Sequence, residues 1–138
     1  MADQVRRVDH YDFEIENKPG AAAAILDKLR DNDVMLIAVW GYVASGHGHL
    51  GIVPEDANGF VAALKAAGID AGVPTPTFYV TGSDRRGALA EHLDKLAKAG
   101  LNVGAAHAIA DSSGGFGGLI YVDQANLQRA ATALGARG

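Results

Sequence analysis

Residues 8–16 alternate in polarity. Asp9, Tyr11, Phe13 and Ile15 fall on one side and Val8, His10, Asp12, Glu14 and Glu16 on the other. A period of two predicts a strand over 8–15 with Tyr11, Phe13 and Ile15 toward the core. The period then changes. Within Ala21–Asp31, Ala22, Ile25, Leu26 and Leu29 stand at i, i+3, i+4 and i+7, one apolar helical stripe, and Asp27, Lys28 and Arg30 face water. After an Asn32-Asp33 turn, residues 34–43 form an apolar run rich in β-formers, as expected of a strand buried on both faces or lying at an interface. Ala44-Ser45-Gly46-His47-Gly48 reads as a hairpin loop, 49–53 as its return strand, and Pro54-Glu55-Asp56 as the stop. A second helix over 57–67 turns Phe60, Val61, Leu64 and Ala67 inward and closes at Gly68. A short strand follows at 69–73, then a stiff Pro74-Thr75-Pro76 linker.

The pattern then starts again. At the offset from Gly20 to Gly87 the two halves overlie each other without a gap: Leu26-Asp27-Lys28-Leu29 falls on the identical Leu93-Asp94-Lys95-Leu96. Ser45 falls on Ser112, Gly48 on Gly115, Gly51 on Gly118, Asp56 on Asp123 and Gly68 on Gly135. Alanine and glycine could match by composition alone; an identical charged tetrad in register points to duplication, which fixes the architecture before any single motif does. The second copy predicts a strand at 78–81, a helix at 88–99, strands at 101–110 and 118–122, and a helix at 124–134, with its last strand short or absent. The expectation is an α+β fold: two ferredoxin-like βαββαβ units side by side, an antiparallel sheet with the helices on one face. Residues 1–73 make one unit, 77–138 the other and 74–76 the linker. The halves are expected to pair through 34–43 and 101–110.

Composition narrows the chemistry. The chain has 138 residues, within the range of one ordinary domain or two small ones. A formal net charge of −4 and the lack of a basic stripe exclude nucleic acid as the expected partner. Without cysteine there is no disulfide framework, thiol nucleophile or thiolate metal site. No apolar secretory segment follows the N-terminus and no stretch is long and apolar enough to span a bilayer, so no membrane partner and a cytoplasmic location are expected. His47-x-His49 is a metal pair in outline, but no third ligand is set by spacing; a solvated loop is the reading, with no metal. The glycine-rich stretch from Ser112 to Gly118 lies between two strands and fails the context of a phosphate loop. Nothing resembles a paired catalytic acid and base, so no catalytic residue, cofactor or enzyme activity is assigned.

The turn Glu16-Asn17-Lys18-Pro19-Gly20 before the first helix is the most distinctive stretch. Asn17 could cap the helix, Pro19 suits its first turn, and Gly20 admits a close approach to N–H groups that accept a carboxylate. This turn, followed by the Leu-x-x-Leu helix and the β-rich strand, resembles the ACT domain; the turn is close to that of the phosphoglycerate dehydrogenase regulatory domain. Two such units with no enzyme attached resemble stand-alone tandem ACT-domain proteins, over roughly residues 8–73 and 76–135. The resemblance implies a non-catalytic regulatory sensor that binds a small molecule, usually an amino acid, at the interface of the two units. A regulated enzyme and a second copy of the chain are the protein partners it allows. Asn17, Lys18, Pro19, Gly20 and Ala21 would meet Leu101, Asn102 and Val103 there. A weaker second pocket would hold Asp84, Gly87 and Met35, with Met35 where the first has an amide and Asp84 repelling a carboxylate. The competing reading is a protein-interaction or assembly module acting through the sheet edge without a ligand.

Overall fold

A computed structural model describes residues 2–137. Met1 and Gly138, the outer bounds of the expected halves, lie outside the described residues. The elements are β1 (Gln4–Ile15), α1 (Ala21–Asp31), β2 (Leu36–Ala44), β3 (His47–Pro54), α2 (Ala57–Ala66), β4 (Thr75–Ser83), α3 (Ala88–Lys98), β5 (Ala105–Ala110), β6 (Gly115–Tyr121), a short 3₁₀ turn (Gln124–Asn126) and α4 (Leu127–Leu134). Within the units β1 and β2 pair with β3, and β4 and β5 with β6, all antiparallel. The fold is α+β, with two ferredoxin-like units, each strand–helix–strand–strand–helix.

The chain divides into two compact units, with bounds that differ from those read from the repeat and the linker. The first unit is Asp9–Thr75; the second joins Met1–Val8 to Pro76–Gly138. The opening residues therefore belong with the C-terminal half. The reason lies in the second half's own ending. Its last strand is reduced to one parallel bridge, Arg6 with Arg137, fixed by Arg137 N–H to Val5 O at 2.9 Å and Arg7 N–H to Arg137 O at 3.1 Å. Val5, 5% exposed, fills this unit's core beside Phe78, Val80, Leu96, Phe116 and Ile120.

In the first unit β3 is the middle strand. Ile52 lies opposite Tyr11 of β1 and Val39 of β2. Tyr11, Leu50 and Ile52 point to one side, where Leu29 of α1 and Phe60 and Leu64 of α2 pack on them. Of the predicted α1 stripe, Leu29 is fully buried and Ala22, Ile25 and Leu26 pack around it. The expected strand at 69–73 does not form: Gly72 is left-handed and its N–H bonds to Asp70 Oδ1 at 2.9 Å, a local turn in place of a ladder.

The second unit repeats this with β6 in the middle, between β4 and β5. The match is not free of gaps. Tyr11 corresponds to Phe78, but their partners are Ile52 and Ile120, one residue further along. A turn at 111–114 replaces the two-residue Ser45-Gly46 turn, so Gly51 corresponds to Leu119 and not to Gly118. The offset is restored at Asp56 and Asp123, which each accept an N–H bond two residues on.

Strands β2 and β5 are the outer strands of their units, paired there with β3 and β6. Strand β2 is not buried on both faces, since Val39, Tyr42 and Val43 are exposed. Its apolar character reflects β-propensity at an edge, not interior burial. No helix among the described residues is long and apolar enough to cross a membrane.

Candidate functional site

The chain passes from β1 to α1 through residues 16–20. Lys18 N–H bonds to Glu16 O at 2.9 Å and Ala21 N–H to Lys18 O at 3.4 Å. Gly20 is the N-cap, with φ +85°, and no side chain caps the helix. Asn17 is thus not the cap expected of it. The cap position needs a left-handed backbone, which glycine adopts without steric cost, and Asn17 lies three residues too early. Pro19 precedes the cap instead of opening the helix. Nothing stands within 4 Å of where a Gly20 Cβ would lie, so conformation and not crowding calls for glycine here. Lys18 Nζ lies 2.7 Å from Glu16 Oε2, and both side chains are exposed. Hydrogen bonding by Lys18 holds the Glu16 carboxyl below its ordinary range. What remains open is the first turn of α1 beyond Ala21, which no side chain caps and whose N–H groups can donate to a carboxylate.

The equivalent turn in the second unit is built differently. Gly87, φ +70°, caps α3. Asp84 is not at the cap; its N–H bonds to Gly114 O at 2.8 Å. Arg85 is the hub. Nη1 donates to Asp3 Oδ1 and to Ser83 O, both at 3.0 Å; Nη2 donates to Asp3 Oδ2 at 3.0 Å and Glu91 Oε2 at 2.7 Å. His92 Nε2 lies 2.7 Å from the same Asp3 Oδ2. The side chains of Asp3 and His92 are each 4% exposed. Arg85 first, and His92 after it, hold the Asp3 carboxyl below its ordinary range against the opposing effect of burial. Arg85 likewise lowers Glu91. An ionised Asp3 only accepts, so His92 donates from Nε2. This cluster escaped sequence reasoning: Asp3 lies 82 residues from Arg85, and no local pattern links them.

Leu101, Asn102 and Val103 do not begin a strand. Leu101 N–H closes α3 by bonding to Leu96 O at 2.9 Å after left-handed Gly100, and β5 starts only at Ala105. Leu101 is 5% exposed and belongs to the core, which removes it as a direct contact; Val103 packs against that core and Asn102 is exposed. Met35 is 66% exposed, and its carbonyl accepts Glu55 N–H at 2.9 Å. It borders a cavity of about 470 Å³ in the first unit with Val34, Asp33, Glu55, Asp56 and Phe60.

His47 and His49 lie on β3, not in a solvated loop, because Ser45 and Gly46, both at positive φ, make a two-residue hairpin turn. His49 stacks on Tyr42 with ring centres 4.8 Å apart and lies 3.5 Å from Asp12 Oδ1; His47 lies 3.7 Å from Glu14. Tyr42 donates to Asp12 Oδ2 at 2.8 Å, and His10 stacks on Trp40 at 4.8 Å. Trp40 lies flat over Gly51, where a Cβ would strike its ring. This face of the sheet is therefore covered by its own aromatic side chains. No group of three His, Cys, Asp or Glu among the described residues is placed to hold a metal. Purified, untagged protein is expected to carry no stoichiometric zinc or nickel by elemental analysis. About one equivalent, lost on replacing both His47 and His49, would reverse this.

No protein-family model matches the chain, and no curated protein matches its sequence. Solved structures do. A protein from Bacteroides thetaiotaomicron is similar with a TM-score of 0.77 and 20% identity, over 96% of this chain and 88% of that one. The regulatory subunit of aspartate kinase from Thermus thermophilus matches at 0.61 and 18%, over 97% and 93%. Aspartokinase alpha and beta subunits match at 0.61 and 18%, over 97% and 95%. The fold is ACT-like. At these identities the likeness concerns the backbone; the ACT-like arrangement of duplicated strand–helix–strand–strand–helix units is what the structures share.

Proposed function

We propose that this chain is a non-catalytic regulatory protein that binds a small molecule, an amino acid by preference. The observation that carries the reading is its backbone likeness, over nearly the whole chain, to the regulatory subunit of aspartate kinase. The open start of α1 supports it, since uncapped N–H groups suit a ligand carboxylate. The proposed contacts are Asn17, Lys18, Gly20 and Ala21 at the first turn, with Pro19 shaping it, and Asn102 with Val103. Asp84, Gly87 and Met35 would form weaker contacts. A cytoplasmic location and a regulated enzyme as partner go with this reading.

The test is a thermal-shift screen of amino acids, followed by calorimetric titration with the one selected. A ligand that binds only the folded state raises the melting temperature. Asn102→Ala is expected to weaken binding by about 1–3 kcal/mol, the usual cost of leaving a ligand polar group that binding desolvates without its partner, and Asp84→Ala to leave it unchanged. Equal losses, or tight binding that survives Asn102→Ala, would count against the assignment. A screen in which no amino acid shifts the melt would favour the alternative, an assembly module acting through a sheet edge, including a homodimer. That reading has its own support: β5 is exposed along its whole length, Ile109 is 78% exposed, and it carries none of the charges or prolines that usually protect an edge.

A further inference from the structure

We propose that Arg85, His92 and Gly82 form a binding site for a carboxylate, which the chain fills with its own Asp3, and that a small carboxylic acid takes Asp3's place when the N-terminal segment lifts. The proposal does not depend on the ligand reading above.

Three features make this a receptor and not a chance ion pair. The guanidinium meets both oxygens of the Asp3 carboxylate at 3.0 Å, the paired geometry in which arginine recognises planar carboxylates. His92 adds a third donor at 2.7 Å. Gly82 provides the floor: the carboxylate lies where its Cβ would be, so only glycine leaves the space. The donors are held independently of Asp3. Glu91 grips Arg85 from the other side through Nη2 and Nε, and Ser83 O takes a further Nη1 bond. His92 sits on α3 with its ring packed in the second unit. Withdrawing Asp3 would thus leave a part-exposed guanidinium and a buried imidazole N–H with the preferred anion missing.

There is also room. Two cavities in the second unit flank the segment that carries Asp3. One, of about 410 Å³, is lined by Ala2 and Gln4 with Thr81, Ser83 and Ser113. The other, of about 290 Å³, adjoins Asp3, Val5, His92 and Lys95. A ligand whose carboxylate replaces Asp3 has space for its remaining atoms on either side. His92 Nδ1, buried and without a hydrogen-bond partner, could accept from a hydroxyl or amine on that ligand. Asp3 competes as a tethered ligand, whose effective concentration is on the order of millimolar for a short tether. A free acid therefore binds weakly until the segment is displaced or its carboxylate removed.

The experiment uses the full chain with acetate as the probe, in melts at pH 7 in sodium acetate and in sodium chloride of equal ionic strength. Asp3→Ala is expected to melt below the wild type in chloride and to gain about 4 °C in near-saturating acetate. The wild type should gain clearly less, because Asp3 competes for the site, and Asp3→Ala with Arg85→Ala should show no difference between the salts. If Asp3→Ala does not stay folded, its refolding yield in acetate against chloride reads the same rescue. Equal melting or refolding of Asp3→Ala in both salts would overturn the proposal, as would an equal acetate gain in the wild type or in the double variant.

Discussion

Leu96→Ala is expected to destabilise the protein by about 3 kcal/mol, and Leu29→Ala by about the same amount. The two leucines hold corresponding places in the repeated Leu-Asp-Lys-Leu tetrads and are 0% and 1% exposed. Each is the deepest apolar residue of its helix. Leu29 packs with Tyr11, Leu50, Ile52, Phe60 and Leu64, and Leu96 with Phe78, Val80, Phe116 and Ile120. Truncation removes three carbons from a filled site and leaves a cavity that rigid strands cannot close, which puts the cost near the middle of the observed range. The outer leucines of the tetrads, Leu26 and Leu93, only pack against the clusters from the side, and their alanine variants should lose clearly less. Urea denaturation of the four variants measures this. A Leu26→Ala loss as large as that of Leu29→Ala would mean that the tetrad's burial pattern is not the one described.

That comparison also shows what could be read from the residues. The period-3.6 stripe of α1 fixed its face, and its bounds agree with the structure, because a helix's apolar spacing and its flanking turn act over a few residues. The repeat was legible for the same reason: an identical tetrad survives in register even where the hairpins differ. What could not be read is what depends on distance along the chain. The register shift between β3 and β6 arises in the turn, Ser45-Gly46 in one half and Asp111-Ser112-Ser113-Gly114 in the other, and residue types do not reveal where each strand stops. The assignment of the first eight residues to the C-terminal half is set by Val5 entering that core and by the bridge to Arg137. Asp3 reads as one polar residue in an unremarkable N-terminus, and only folding brings it to Arg85 and His92. At the candidate ligand site, the sequence singles out the turn's glycine for close approach, whereas its left-handed backbone is what calls for it, and Asn17 is not the cap. Asparagine is a common cap, and the sequence does not reveal which residue turns left-handed.

Gly82→Ala is expected to cost about 1–3 kcal/mol at pH 7, the range for forcing an extra carbon into a filled site. Gly82 has an ordinary strand backbone, so no strain is involved; the effect is one of space. The added methyl would strike the Asp3 carboxylate and stand 3.1 Å from Phe116 Cε1. Phe116 belongs to the core and cannot withdraw, so Asp3 must move, and with it go its contacts to Arg85 and His92. The pH dependence identifies this cause. In the folded wild type the Asp3 carboxyl titrates below its reference value of 3.8. A depressed carboxylate contributes stability that is complete well above the unfolded value and disappears as pH falls through the folded one. In Gly82→Ala, Asp3 is freed from Arg85 and returns toward the ordinary range, so that contribution is missing at every pH. The gap between wild type and variant should therefore be widest at neutral pH and narrow as the solution is taken from about pH 5 toward pH 3. Asp111 is lowered by the Gly115 N–H, outside this cluster, and contributes to both proteins alike. Glu91 keeps Arg85, which lowers it in both proteins, and loses only the lesser raising effect of Asp3 in the variant. Urea midpoints taken across that interval provide the measurement. A constant gap would assign the loss to crowding of Phe116 alone and would show that Asp3 keeps its place.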